Sequence, residues 1–76
     1  MQNYTLIHTT IDRVLANKTA EVLENEGIAV LIEHIEIKST TDNAHGFRIL
    51  VPVQSAHESM RLLQMIMDVN NVAYAA

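Results

Sequence analysis

The chain has no cysteine and no tryptophan, and only one proline and two glycines among its 76 residues. Without cysteine there is no disulfide and no thiolate metal site. A chain of this length buries only about 60% of the surface its unfolded form exposes. Its stability must come from an economical core, from self-association, or from both. Aromatic residues are scarce as well: Tyr4, Phe47 and Tyr74 are the only three. The core is therefore aliphatic. Positive charge is the next shortage. Arg13, Lys18, Lys38, Arg48 and Arg61 are the only fixed cations, and they are scattered along a chain of net charge −4. Nucleic-acid binding needs several phosphate-neutralising cations on one surface, and an anionic membrane makes the same demand. Neither partner is expected. The longest apolar run, Ile28 to Ile32, is far short of the roughly twenty residues of a transmembrane helix. Residues 1–10 carry no basic segment and no long apolar run of the kind that directs export. A cytoplasmic location is the expectation.

What is present reads as one domain over residues 1–76, with no linker, repeat or low-complexity tract. Tyr4 to Thr9 is rich in β-branched and aromatic residues, which suits a first strand. Thr9, Thr10 and Asp12 offer oxygens for a helix N-cap. A first helix is expected from about Asp12 to Glu26, with Leu15, Ala16, Thr19, Ala20, Val22 and Leu23 on one side. Gly27 then supplies a left-handed C-cap. Ile28 to Ile32 opens a second strand, which passes into the alternation Ile32 to Lys38. Residues Ser39 to Gly46 read as a polar loop. Phe47 to Val53 reads as a third strand, and pairing should end at or near Pro52, which has no N–H to donate. Ser55 and Glu58 match a capping box, opening a second helix to about Asp68. Asn70 and Asn71 are expected to break it, leaving Val72 to Ala75 as a short fourth strand. The order βαββα(β) is a split βαβ arrangement. It predicts an α+β, ferredoxin-like plait: an antiparallel sheet with two helices on one face.

The Leu-Glu-x-x-Gly-Ile ending of the first helix (Leu23, Glu24, Gly27, Ile28), preceded by Ala16 and followed by a strand ending Leu50-Val51-Pro52, resembles a prokaryotic family described as signal-transducing. That family is a domain of unknown function, PII-like in fold. The resemblance spans Tyr4 to Leu63. Ser55 stands where the family tends to have an acidic residue and Ser59 where it tends to have alanine. The resemblance implies a regulatory or sensing domain and names no ligand. Amino-acid-binding ACT domains are similar in topology. They usually carry Pro-Gly after the first strand, where this chain has Thr9 to Arg13 without either residue.

Chemistry-bearing residues are few. His8, His34, His45 and His57 show no His-x-His or His-x-x-x-His spacing of the kind that brings two imidazoles to one metal ion. Asp42 and His45 share the polar loop. Glu21, Glu24 and Glu26 lie on a solvated helix face. No nucleophile elbow and no phosphate-cradling loop is present. No enzyme activity, resident metal or cofactor is expected.

The second helix is the most informative segment. Ala56, Met60, Leu63, Ile66 and Met67 form an apolar stripe, widened by Leu62, Met65 and Val69 beyond the roughly 100° an ordinary surface helix needs. Methionine is over-used at adaptable binding surfaces. The first expectation is a small non-catalytic regulatory or protein-interaction module, self-associating or meeting a protein partner through Met60, Leu62, Met65 and Val69. Thr40, Thr41, Asp42, Asn43 and His45 form its recognition loop. Two alternatives stay open. One is a sensor of amino acids or nucleotides of the ACT or PII kind. The other is a metal-binding protein using His45, Asp42 and a second histidine.

Overall fold

In the computed structural model the backbone is described for residues 3–38 and 43–75, and side chains for 3–36 and 44–69. The elements run β1 (Tyr4–Thr10), α1 (Arg13–Asn25), β2 (Leu31–Lys38), β3 (Asn43–Pro52), a 3₁₀ turn (Val53–Ser55) and α2 (Ala56–Ala75). The fold is α+β. Three antiparallel strands stand in the order β1-β3-β2, so the third strand is inserted between the first two. Both helices meet the sheet on the side of Val51: Leu23 of α1, Val51 of β3 and Leu62 of α2 form one buried cluster, with Ile7, Ile28, Val30 and Ala56 packed around it.

Local chemistry sets each boundary of α1. The Asp12 carboxylate accepts from the backbone N–H of Val14 (2.9 Å) and Leu15 (3.2 Å), and so satisfies two otherwise orphaned donors. At the other end Gly27 adopts φ +81°. Its N–H donates to Glu24 O and that of Ile28 to Leu23 O, both at 3.0 Å. This is the paired bonding of a Schellman ending, and Ile28 packs back on the cluster that holds Leu23. The buried face of α1 is Ala16, Thr19, Ala20 and Leu23. Three of these four are small, which lets the helix lie close to the sheet.

Four expectations are corrected. Val72 to Ala75 continue α2 instead of forming a fourth strand. Asparagine is only a moderately poor helix former, unlike glycine or proline, and Asn70-Asn71 does not stop the helix. The strand β2 starts at Leu31, three residues after Ile28; Ile28 and Val30 are spent instead on closing the core. The polar stretch Asn43 to Gly46 is strand, paired with residues 35–38 of β2. That shortens the connection to residues 39–42, because a hairpin end that projects into water tolerates polar side chains on both faces. Finally, both carboxylate oxygens of Glu58 are turned to the Arg61 guanidinium, so its engagement is with the next turn of the helix. Those hydrogen bonds hold the Glu58 carboxyl below its usual range.

The buried side of α2 runs through Ser59, Leu62 and Leu63. Ser59 is fully buried, and its hydroxyl has no hydrogen-bond partner among the described residues. An unpaired buried hydroxyl costs about 1–3 kcal/mol, and alanine is the better helix former. Ser59→Ala is therefore expected to raise stability by about 1 kcal/mol, seen as a melting temperature about 4–8 °C higher. A lower melting temperature would show that the hydroxyl is satisfied in solution.

Candidate functional site

Sheet register decides which side chains share a face. On β3, Phe47, Ile49 and Val51 point to the helices, while Arg48 and Leu50 point away. Ile49 and Val51 are fully buried. Among the described residues no layer covers the outward face. There Leu6, Leu50 and Leu31 are partners in one row across all three strands. Leu6 is 49% exposed and Leu31 50%. The next row holds Thr9, Arg48 and Glu33, with an Arg48 Nη1 to Glu33 Oε1 ion pair of 3.3 Å. Ile35, opposite Gly46, continues the face toward the hairpin end. The result is a flat apolar surface crossed by one exposed ion pair. A register irregularity in β1 between Leu6 and His8 makes this face possible. The extra residue, Ile7, turns into the core, and Leu6 stays outside.

The helix-facing side of the sheet is covered only as far as Phe47. Arg13, the first residue of α1, sets its guanidinium carbon 5.7 Å from the centre of the Phe47 ring, within cation–π range. His34 stacks on the same ring at 5.2 Å and 12°. Beyond it the β2–β3 hairpin projects past the helix layer. His34 Nε2 lies 3.1 Å from His45 Nδ1, with the ring centres 5.0 Å apart. Glu36 is the cross-strand partner of His45 and shares this face with both histidines. Among the described residues no three His, Cys, Asp or Glu groups converge as a ready-made metal cage.

A scan against protein-family models, a search of curated proteins and a search of solved structures each give no match.

Met60, Met65 and Val69 of α2 are 55%, 54% and 68% exposed, whereas Leu62 is buried in the core. Met65 and Val69 are one helical turn apart. Met60 lies about 140–180° around the helix from them, on the other border of the buried stripe. Between these borders run His57, Glu58, Arg61, Gln64 and Asp68. They are tied by the Glu58–Arg61 ion pair and by a 2.9 Å bond from Gln64 to Asp68. The four α2 residues thus do not form one continuous surface. Of the recognition-loop residues, Thr40, Thr41 and Asp42 lie outside the described residues. Asn43 opens β3 and its side chain is likewise outside them. His45 stands in β3, not in a loop. The metal alternative on Asp42 is outside the described residues for the same reason.

The open sheet face and the His34–His45 pair both escaped sequence reasoning. The pair is separated by eleven residues, so no short spacing motif contains it. The signal that would have found it is the hairpin register, which sets Glu36 opposite His45 and His34 opposite Phe47.

Among the described residues no helix is long and apolar enough to cross a membrane.

Proposed function

We propose that this protein is a small non-catalytic regulatory module that works as a homodimer, built by packing the open sheet face of one copy on that of another. The row Leu6-Leu50-Leu31 on an uncovered face carries this reading. One further observation supports it: the face is self-complementary in charge. A two-fold axis running along the strands between β2 and β3 sets Glu33 of one copy over Arg48 of the other, as an isologous interface requires. The regulatory reading draws on the resemblance of Leu23 to Ile28 and Leu50 to Pro52 to the prokaryotic signal-transducing, PII-like family. Its chemistry is recognition, with the ligand or protein partner still to be found.

Sedimentation equilibrium tests the assembly. Two chains of 8.5 kDa give the expected mass, with dissociation on dilution. A mass of one chain at all concentrations would overturn the reading.

A further inference from the structure

The hairpin end carries chemistry that the proposed dimer does not use. His34 and His45 lie on the helix side of the sheet, opposite in direction to the leucine row, and both are exposed. Their facing nitrogens, Nε2 and Nδ1, are 3.1 Å apart. Two imidazole nitrogens bound to one zinc ion at tetrahedral angles lie about 3.3 Å apart. A hydrogen bond of this length therefore holds the two rings nearly where a metal ion would hold them. The nitrogens would need to open by only a few tenths of an ångström, with both lone pairs turned to one ion lying off the line between them.

The rings are also positioned, not merely adjacent. His34 is stacked on Phe47, and the other face-to-face constraint on Phe47 comes from Arg13 at the start of α1. The backbones of β2 and β3 are locked in ladder register from Leu31↔Leu50 to Lys38↔Asn43. Glu36 lies directly across from His45 on the same face; its carboxylate does not converge with the two imidazoles as they stand, and a side-chain rotation would be needed to bring it to the ion. Two neutral imidazoles and one carboxylate suit zinc, nickel or copper. They do not suit magnesium or calcium, which prefer oxygen ligands.

We propose that His34 Nε2 and His45 Nδ1 form a bidentate site for a divalent transition-metal ion, completed by Glu36 and water. The site clamps β2 to β3 toward the connected end of the hairpin. The one tetrahedral position left to water makes it a place where an exogenous donor, such as a carboxylate of a small ligand or partner, can bind through the metal.

The test is calorimetric titration of zinc chloride into tag-free protein, paired with the ring signals of His34, His45 and Phe47 by NMR. The expected result is one ion per chain, with shifts confined to these rings. His34→Gln and His45→Gln should each weaken binding by about tenfold or more. Glu36→Gln should weaken it as well, and His57→Gln should leave it unchanged. Both histidines are exposed, so these variants keep the fold, which circular dichroism verifies. Absence of saturable binding at millimolar zinc, or equal affinity in His34→Gln and the unsubstituted protein, would overturn the proposal. So would loss of binding in His57→Gln alone. The site faces away from the leucine row, so a variant that dissociates the dimer should still bind zinc. Failure of the dimer reading and failure of the metal reading are thereby separate results.

Discussion

Replacing Leu23 with alanine is expected to remove about 2–5 kcal/mol of stability. Leu23 is fully buried and joins the two helices to the central strand through Val51 and Leu62. Truncation loses the transfer energy of its methyl and methylene groups. It also leaves a cavity whose lining is shared by four elements and cannot collapse from one side alone. A domain of 76 residues has about 4–11 kcal/mol in total, so the variant stands close to the unfolding threshold. Urea titration checks this. The midpoint should fall steeply while the slope stays near that of the parent, because the same surface is exposed on unfolding. A loss below about 1 kcal/mol would mean that α1 repacks on the sheet without this side chain. The backbone at this residue argues against such repacking. The Leu23 carbonyl accepts from both Glu26 and Ile28, which fixes the helix end over the core.

Leu31→Glu is expected to convert the dimer into a folded monomer. Leu31 is half exposed in the single chain, so a carboxylate there stays hydrated and the monomer fold is kept. In the proposed dimer both copies lose an apolar contact, and two carboxylates enter a desolvated face. Together these cost about 4 kcal/mol or more, roughly a thousandfold in dissociation constant. Sedimentation should report one chain, with an unchanged far-ultraviolet spectrum. Met65→Glu, made in parallel, discriminates between the two exposed apolar regions. If it leaves two chains together while Leu31→Glu separates them, the sheet face is the interface. The reverse pattern would move the interface to the border of α2 that holds Met65 and Val69, and would refute the sheet-face dimer.

The Glu33–Arg48 ion pair has a different part in this scheme. At 3.3 Å and about half exposed on both sides, it contributes little to the monomer. Covered by a second copy, the same charges would be shielded from water, and their pairing across the two-fold axis would set register and direction. The ion pair thus favours one arrangement of the two faces over slipped ones, while the leucines supply most of the association energy.

The order of elements was legible in the chain because its punctuation is local. Asp12 caps α1 with its own carboxylate. Gly27 takes a positive-φ conformation that glycine, lacking a Cβ, adopts without strain. Pro52 ends the central strand where its missing N–H costs least. The apolar spacing Ala16, Ala20 and Leu23 needed only the helical period to be read as a buried face. The split βαβ order then placed the third strand beside the first two and both helices on one side.

What escaped the sequence depends on pairings between distant residues. The alternation from Ile32 to Lys38 shows that β2 has two faces but not which face is covered. Only the partners Leu50 and Ile49, across from Leu31 and Ile32, assign them. The β1 irregularity at Ile7 changes which side chains of that strand reach the core, and no local residue type announces it. On α2, helical period put Met60 in the apolar stripe and gave no place in the core to Ser59. In the fold Ser59 is fully buried and Met60 is half exposed. His34 and His45 meet because two strands are in a particular register, an outcome of sheet packing and not of spacing. Local backbone preferences thus determined the order of the five main elements and both ends of α1, since those depend on neighbours within a few residues. Which faces are buried, which stay open, and which side chains meet was decided by the tertiary structure, because each depends on contacts whose partners lie far away in the chain.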